Sequence, residues 1–179
     1  MPPKVLTTWR TGQGAPGEWR VVEDASASQG KAIEQASADP TDYRFPLAVY
    51  QPLSAQDVGA SVRFKAAAGR VDRAGGLAVR LLEADNYCVV RQRPGGQREP
   101  LPRGQGKAAA DRRGLGQSVL GCWHTLALRA EGERFSVSFD GKPLLTHIDR
   151  TFPGPGKVAL WTKADSIIRF DQLRIRPLR

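Results

Sequence analysis

From Val58 to Gly69 the chain reads VGASVRFKAAAG, and its side chains sort by parity. Val62, Phe64 and Ala66 fall on one side; Ser61, Arg63 and Lys65 fall on the other. A repeat of two belongs to an extended strand with one buried face and one wet face, whereas an amphipathic helix repeats its apolar positions every three or four residues. The pattern recurs. GGLAVRLL sets Leu77, Val79 and Leu81 opposite Ala78, Arg80 and Leu82; CWHTLALRA sets His124, Leu126 and Leu128 opposite Trp123, Thr125 and Ala127; RFSVSF aligns Phe135, Val137 and Phe139. GEWRVVED, KAIEQAS, YCVVR (after an EADN turn), KPLLTH, GPGKVALWTKAD and IIRFDQLRIRPL read as further strands, and Pro46 in DYRFPLAVYQ predicts an edge or a kink there. Asp140-Gly141 predicts a two-residue hairpin, whose central positions both need positive φ. About ten strands with turn chemistry between them and no sustained helical period predict an all-β fold: a two-sheet antiparallel sandwich in one domain over residues 1–179.

Several classes of function are excluded by what accompanies this pattern. No run of about 18 apolar residues is present to span a membrane. The start, MPPKVLTTWRTGQG, has no basic-then-apolar leader, so the protein is expected to be intracellular or its leader to be missing from this chain. Cys88 and Cys122, with His124 and His147, make no metal-spaced set, so two free, partly buried thiols and no metal or cofactor are expected. Ser-His-Asp spacing, a phosphate loop and H-E-x-x-H are all missing. The net charge of +9 raises nucleic acid as a partner. Close to half of it comes from one segment, Arg93–Arg113, with six basic residues against Glu99 and Asp111. The remaining basic residues are scattered singly without interleaved aromatics, so no specific nucleic-acid partner is expected.

An ordered series carries a resemblance: TGQGAPGEWRVVEDASA, DPTDYRFPLAVYQ, GGLAVRLLEADNYCVVR, GCWHTLALRAEGERFSVSFDGKPLL and DRTFPGPGKVALWTKADSIIRFDQLRI. Together these segments resemble the concanavalin A-like jelly rolls, nearest to the 3-keto-disaccharide hydrolase-type domains and more distantly to the family-16 glycoside hydrolases. The resemblance makes the expected sandwich a jelly roll and implies a concave sheet face that meets carbohydrate, in proteins that are often secreted or periplasmic. The sequence departs from the pattern in two ways. It begins close to TTWRTGQG, without the leader and opening strand such domains usually carry. It also lacks the E-x-D-x-E strand of family-16 enzymes, whose chemistry needs two carboxylates about 5 Å apart across the scissile bond. Glu131 and Glu133 come closest, but they flank Gly132 in an expected solvated turn.

Arg91–Ser118 contains no Val, Ile, Thr, Phe, Tyr or Trp, and we expect an irregular basic loop at about 92–121 where the resembled family has a strand hairpin. Codons permitted for Arg91–Gln105, read one base later, spell Ala-Asn-Ala-Leu-Glu-Asp-Asn-Val-Asn-Leu-Tyr-Arg-Val-Val-Lys. That peptide alternates apolar and polar residues as the missing hairpin strand would. We therefore read Gln92 to about Gly121 as translated out of frame, with the frame restored before Trp123.

The function expected from the resemblance is a carbohydrate-associated domain, most simply a binding or accessory module. The alternatives are a hydrolase acting on (3-keto) disaccharides and a degenerate structural domain. Candidate ligand-binding residues are Trp161, as an aromatic plate for a sugar ring; Lys163, on the same face; Arg80, as a donor to hydroxyls or a carboxylate; and Asn86, beside Asp85 in the turn. Each has a plain structural reading as well: packing under a loop, a surface cation, turn chemistry. His124 as a general base needs a partner that the sequence does not reveal, and Asp165 and Asp171 are weaker candidates.

Overall fold

The computed structural model describes residues 4–92 and 120–178. Among them there are twelve strands and no helix: β1 Leu6–Gly12, β2 Trp19–Glu23, β3 Lys31–Gln35, β4 Arg44–Ala55, β5 Val58–Ala68, β6 Gly75–Glu83, β7 Asn86–Gln92, β8 His124–Glu131, β9 Arg134–Phe139, β10 Lys142–Ile148, β11 Gly156–Thr162 and β12 Ile167–Pro177. All pair antiparallel, in a five-stranded sheet ordered β1-β4-β11-β6-β7 and a seven-stranded sheet ordered β10-β9-β8-β5-β12-β3-β2. The expected basic loop falls mostly on residues 93–119, outside the described residues.

The alternation seen in the sequence builds the core between the sheets. Val58, Ala60, Val62, Phe64 and Ala66 of β5 join Leu126 and Leu128 of β8, Phe135, Val137 and Phe139 of β9, and Ile168 and Phe170 of β12. They meet Ala48, Leu77, Val79, Cys88, Val90, Val158 and Leu160 from the five-stranded sheet. Asp140 (φ 48°) and Gly141 (φ 76°) make the β9–β10 hairpin with both central residues left-handed, as expected.

Three expectations are corrected. β4 is not an edge strand: it lies between β1 and β11. Pro46 stands opposite Arg10, just past the last β4–β11 pair, Leu47 with Trp161, where one side of the strand has run out of ladder. The start of the chain does carry a strand, β1, along β4. Finally, the face assigned to Arg80 is reversed. A bulge between Ala78 and Leu81 in the pairing with β11, with Arg80 at φ 52°, inserts an extra residue and inverts parity beyond it. Leu81 therefore packs with Ala78 on the outer side of the five-stranded sheet, and Arg80 turns toward Phe135, its guanidinium 4.8 Å from the ring centroid. Gly156 lies against this bulge, where a Cβ would collide with the Arg80 and Leu81 backbone.

A second bulge, between Asp171 and Arg174 with Gln172 at φ 51°, shifts the phase of β12. Ile168 and Phe170 face inward before it; Leu173 and Ile175 pack on the core after it. Arg174 and Arg176 are thereby turned outward, level with Ser61 and Gly59 of β5.

Candidate functional site

The outer face of the seven-stranded sheet carries polar and charged side chains from several strands, and its register defines rows across them. Arg176, Gly59, Arg129 and Ser136 form one row; Arg174, Ser61, Ala127, Ser138 and Pro143 form the next. Small residues between arginines leave a groove of about 1290 Å³ over these two rows, and among the described residues its lining holds three arginines and no carboxylate.

Farther along β5 the face becomes a charged network. Asp24, in the β2–β3 turn, accepts from Lys65 Nζ at 2.5 Å and from Arg169 at 2.9 Å, and Glu34 accepts from Arg169 at 2.8 Å and from Arg20 at 2.8 Å. Hydrogen bonds from Lys65, first of all, and from Ser26 and Arg169 hold the Asp24 carboxyl well below the usual range. At Glu34 burial pushes the pKa up, but Arg169 and Arg20 outweigh it and the net direction is down. Trp123 lies over this network, its ring centroid 4.8 Å from Lys65 Nζ and 4.9 Å from the Arg63 guanidinium, and its Nε1 donates to Ser26 Oγ at 2.9 Å. Asp171 accepts from Arg63 and from Ser28, which anchors the β2–β3 turn onto the same face.

The residues singled out in the sequence are not brought together. Trp161 and Lys163 belong to the five-stranded sheet side. Trp161 is 2 % exposed, stacks on Phe45 with centroids 5.5 Å apart and donates to Tyr87 Oη at 3.2 Å. Lys163 is buried against Asp42 at 2.6 Å and Asp72 at 3.4 Å. Arg80 is 1 % exposed and donates to the carbonyls of Gln56, Phe152 and Gly132. Asn86 is exposed at the β6–β7 turn, 3.4 Å from Glu83, and Asp85 beside it accepts from Thr11. Asp165 accepts three backbone N–H groups, from Arg70, Val71 and Asp72, and Glu131 and Glu133 pair with Arg129 and Arg150. His124 does have a carboxylate partner: its Nδ1 is 2.8 Å from Asp140 Oδ2, and its ring stacks on Phe139. Arg174, Arg176 and the stacking position of Trp123 were missed. A usable signal existed, because the apolar spacing of three between Phe170 and Leu173 breaks the two-residue repeat and announces the bulge.

No family model matches the sequence, and no curated protein matches it. Solved structures do. A carbohydrate binding module from Bacillus subtilis, CBM66, is similar with a TM-score of 0.61 at 17 % identity, over 93 % of this chain and 94 % of that one. The fold is a concanavalin A-like jelly roll. The exoplasmic/lumenal domain of VIP36, in a Ca2+/Man-bound form, is similar with a TM-score of 0.63 at 10 % identity, over 97 % of this chain and 83 % of that one. A carbohydrate esterase of the Shiga toxin-encoding bacteriophage phi24B gives 0.55 at 16 % identity, over 94 % and 88 %. At these identities the jelly roll is what is shared, and no activity follows from it.

Proposed function

We propose that this jelly roll is a carbohydrate-binding module that holds a glycan along the outer face of its seven-stranded sheet. The groove over Gly59, Ser61, Ala127, Ser136 and Ser138 carries the reading, because small side chains there leave room for pyranose rings against a polar floor. Trp123 adds an amphipathic ring about 7 Å along β5 from that floor, the spacing of Ser61 to Arg63. Its aromatic face suits the C–H face of a sugar. Among the solved structures of this fold are a carbohydrate binding module and a lumenal domain in a Man-bound form.

Electrostatics favours binding over hydrolysis. A glycosidase keeps one carboxylic acid protonated by raising its pKa. Asp24 and Glu34, the two carboxylates that share Arg169 on this face, are both held ionised. Neither has a proton to give to a leaving group near neutral pH.

A glycan array followed by calorimetry on the best hit tests the proposal. Ser61→Trp, which fills the groove from an outward-facing position, and Trp123→Ala should each weaken binding about tenfold or more. Undiminished binding by Ser61→Trp, an array with no hit, or release of reducing ends from the bound glycan would each overturn it.

A further inference from the structure

We infer that the groove selects anionic glycans, chains that carry carboxylate or sulfate groups; this rests on the glycan-binding reading of the same groove. The floor is neutral, and among the described residues every charged side chain in the lining is an arginine: Arg129, Arg174 and Arg176. Arg129 is engaged by Glu131 at 3.0 Å. Arg174 and Arg176 are exposed, and among the described residues neither has a hydrogen-bond or ion-pair partner. This contrasts with the rest of the face, where Arg20, Arg63, Lys65 and Arg169 are each neutralised by Asp24, Glu34 or Asp171. One end of the sheet is thus internally compensated, and the other presents uncompensated guanidinium groups at the edge of a cavity.

The placement depends on the β12 bulge. Had the strand kept its parity after Phe170, Arg174 and Arg176 would point at the core and Ile175 at the groove; the extra residue at Gln172 reverses this. Arg174 and Arg176 are two residues apart on one strand, about 7 Å, and Arg176 and Arg129 are two strands apart, about 10 Å. The spacing of Arg174 and Arg176 suits charges repeated along a sugar chain, and each of these two guanidinium groups can take a carboxylate or sulfate through two parallel N–H bonds, whereas Arg129 already gives two N–H bonds to Glu131.

The probes are a tetragalacturonate, its neutral methyl ester, a heparin tetrasaccharide and a single-stranded oligonucleotide, titrated into the full chain. The acidic sugar should bind about tenfold tighter than its methyl ester at low salt, with the preference shrinking as salt rises. Tetragalacturonate and heparin distinguish a carboxylate from a sulfate source. The double variant Arg174→Gln/Arg176→Gln should abolish the preference for acid over ester while the melting temperature stays unchanged. Equal binding of acid and ester overturns this inference and leaves the glycan-binding reading intact. Binding of neither sugar overturns this inference, with the glycan-binding reading decided by the array, and preferential binding of the oligonucleotide overturns the glycan as occupant.

Discussion

Arg169 donates to Glu34 at 2.8 Å, tying β12 to β3, and the same guanidinium reaches Asp24 at 2.9 Å in the turn that precedes β3. Both carboxylates have folded-state pKa values below their unfolded values, which are about 3.9 for Asp and 4.3 for Glu. The sign follows from linkage: the unfolded chain takes up protons first as pH falls, so the pair stabilises the fold above about pH 4 and the contribution drains away below it. Arg169→Gln should cost about 2 kcal/mol at neutral pH and flatten the acid limb of a stability-against-pH curve. Urea titrations from pH 7 down to pH 3 read both effects, and an unchanged acid limb would contradict the assignment.

Arg80 is a structural cation. Arg80→Leu removes the donor from the carbonyls of Gln56, Phe152 and Gly132, and each hydrogen bond from a charged group contributes about 1.5–3 kcal/mol. The expected loss is about 3 kcal/mol or more, visible as a lowered urea midpoint. Full stability in this variant would return Arg80 to the pool of ligand-binding residues.

The two thiols should differ in reactivity. Cys88 is buried between the sheets, and burial, with a smaller push from Asp149, raises its pKa to about 12; Cys122 is exposed. Alkylation at pH 8 should modify Cys122 alone in the native protein and both residues in urea. Native labelling of Cys88, read by peptide mass, would show that the β6–β7 end of the sheet opens.

The out-of-frame reading of Gln92 to about Gly121 predicts compensating single-base changes near both ends of that segment when the gene is aligned with related genes. A chain rebuilt in the alternate frame should melt at a higher temperature than this one, because the restored residues suit strands. Related genes that encode the Pro/Gly/Arg segment in frame would end the idea.

How far the sequence could be read depended on the range of the interaction concerned. Parity in Val58–Gly69, Phe135–Phe139 and Leu126–Leu128 named the core correctly, and Asp-Gly named its hairpin, because alternation and positive φ are properties of a few consecutive residues. The candidate site was less legible. Trp161 has the chemistry of a sugar platform, but it is covered at 2 % exposure, while Trp123, the ring proposed above for that role, lies beside Arg63 and Lys65 of β5 because β8 pairs with β5.

The amino-acid order alone determined that the chain forms short extended segments, each with one apolar face, and that these must stack as two layers to hide those faces. Strand order, the internal place of β4, and which way Arg80, Arg174 and Arg176 point were decided by the tertiary structure. Pairing partners lie far apart in sequence, and one extra residue at a bulge inverts every side chain beyond it without changing the local pattern on either side.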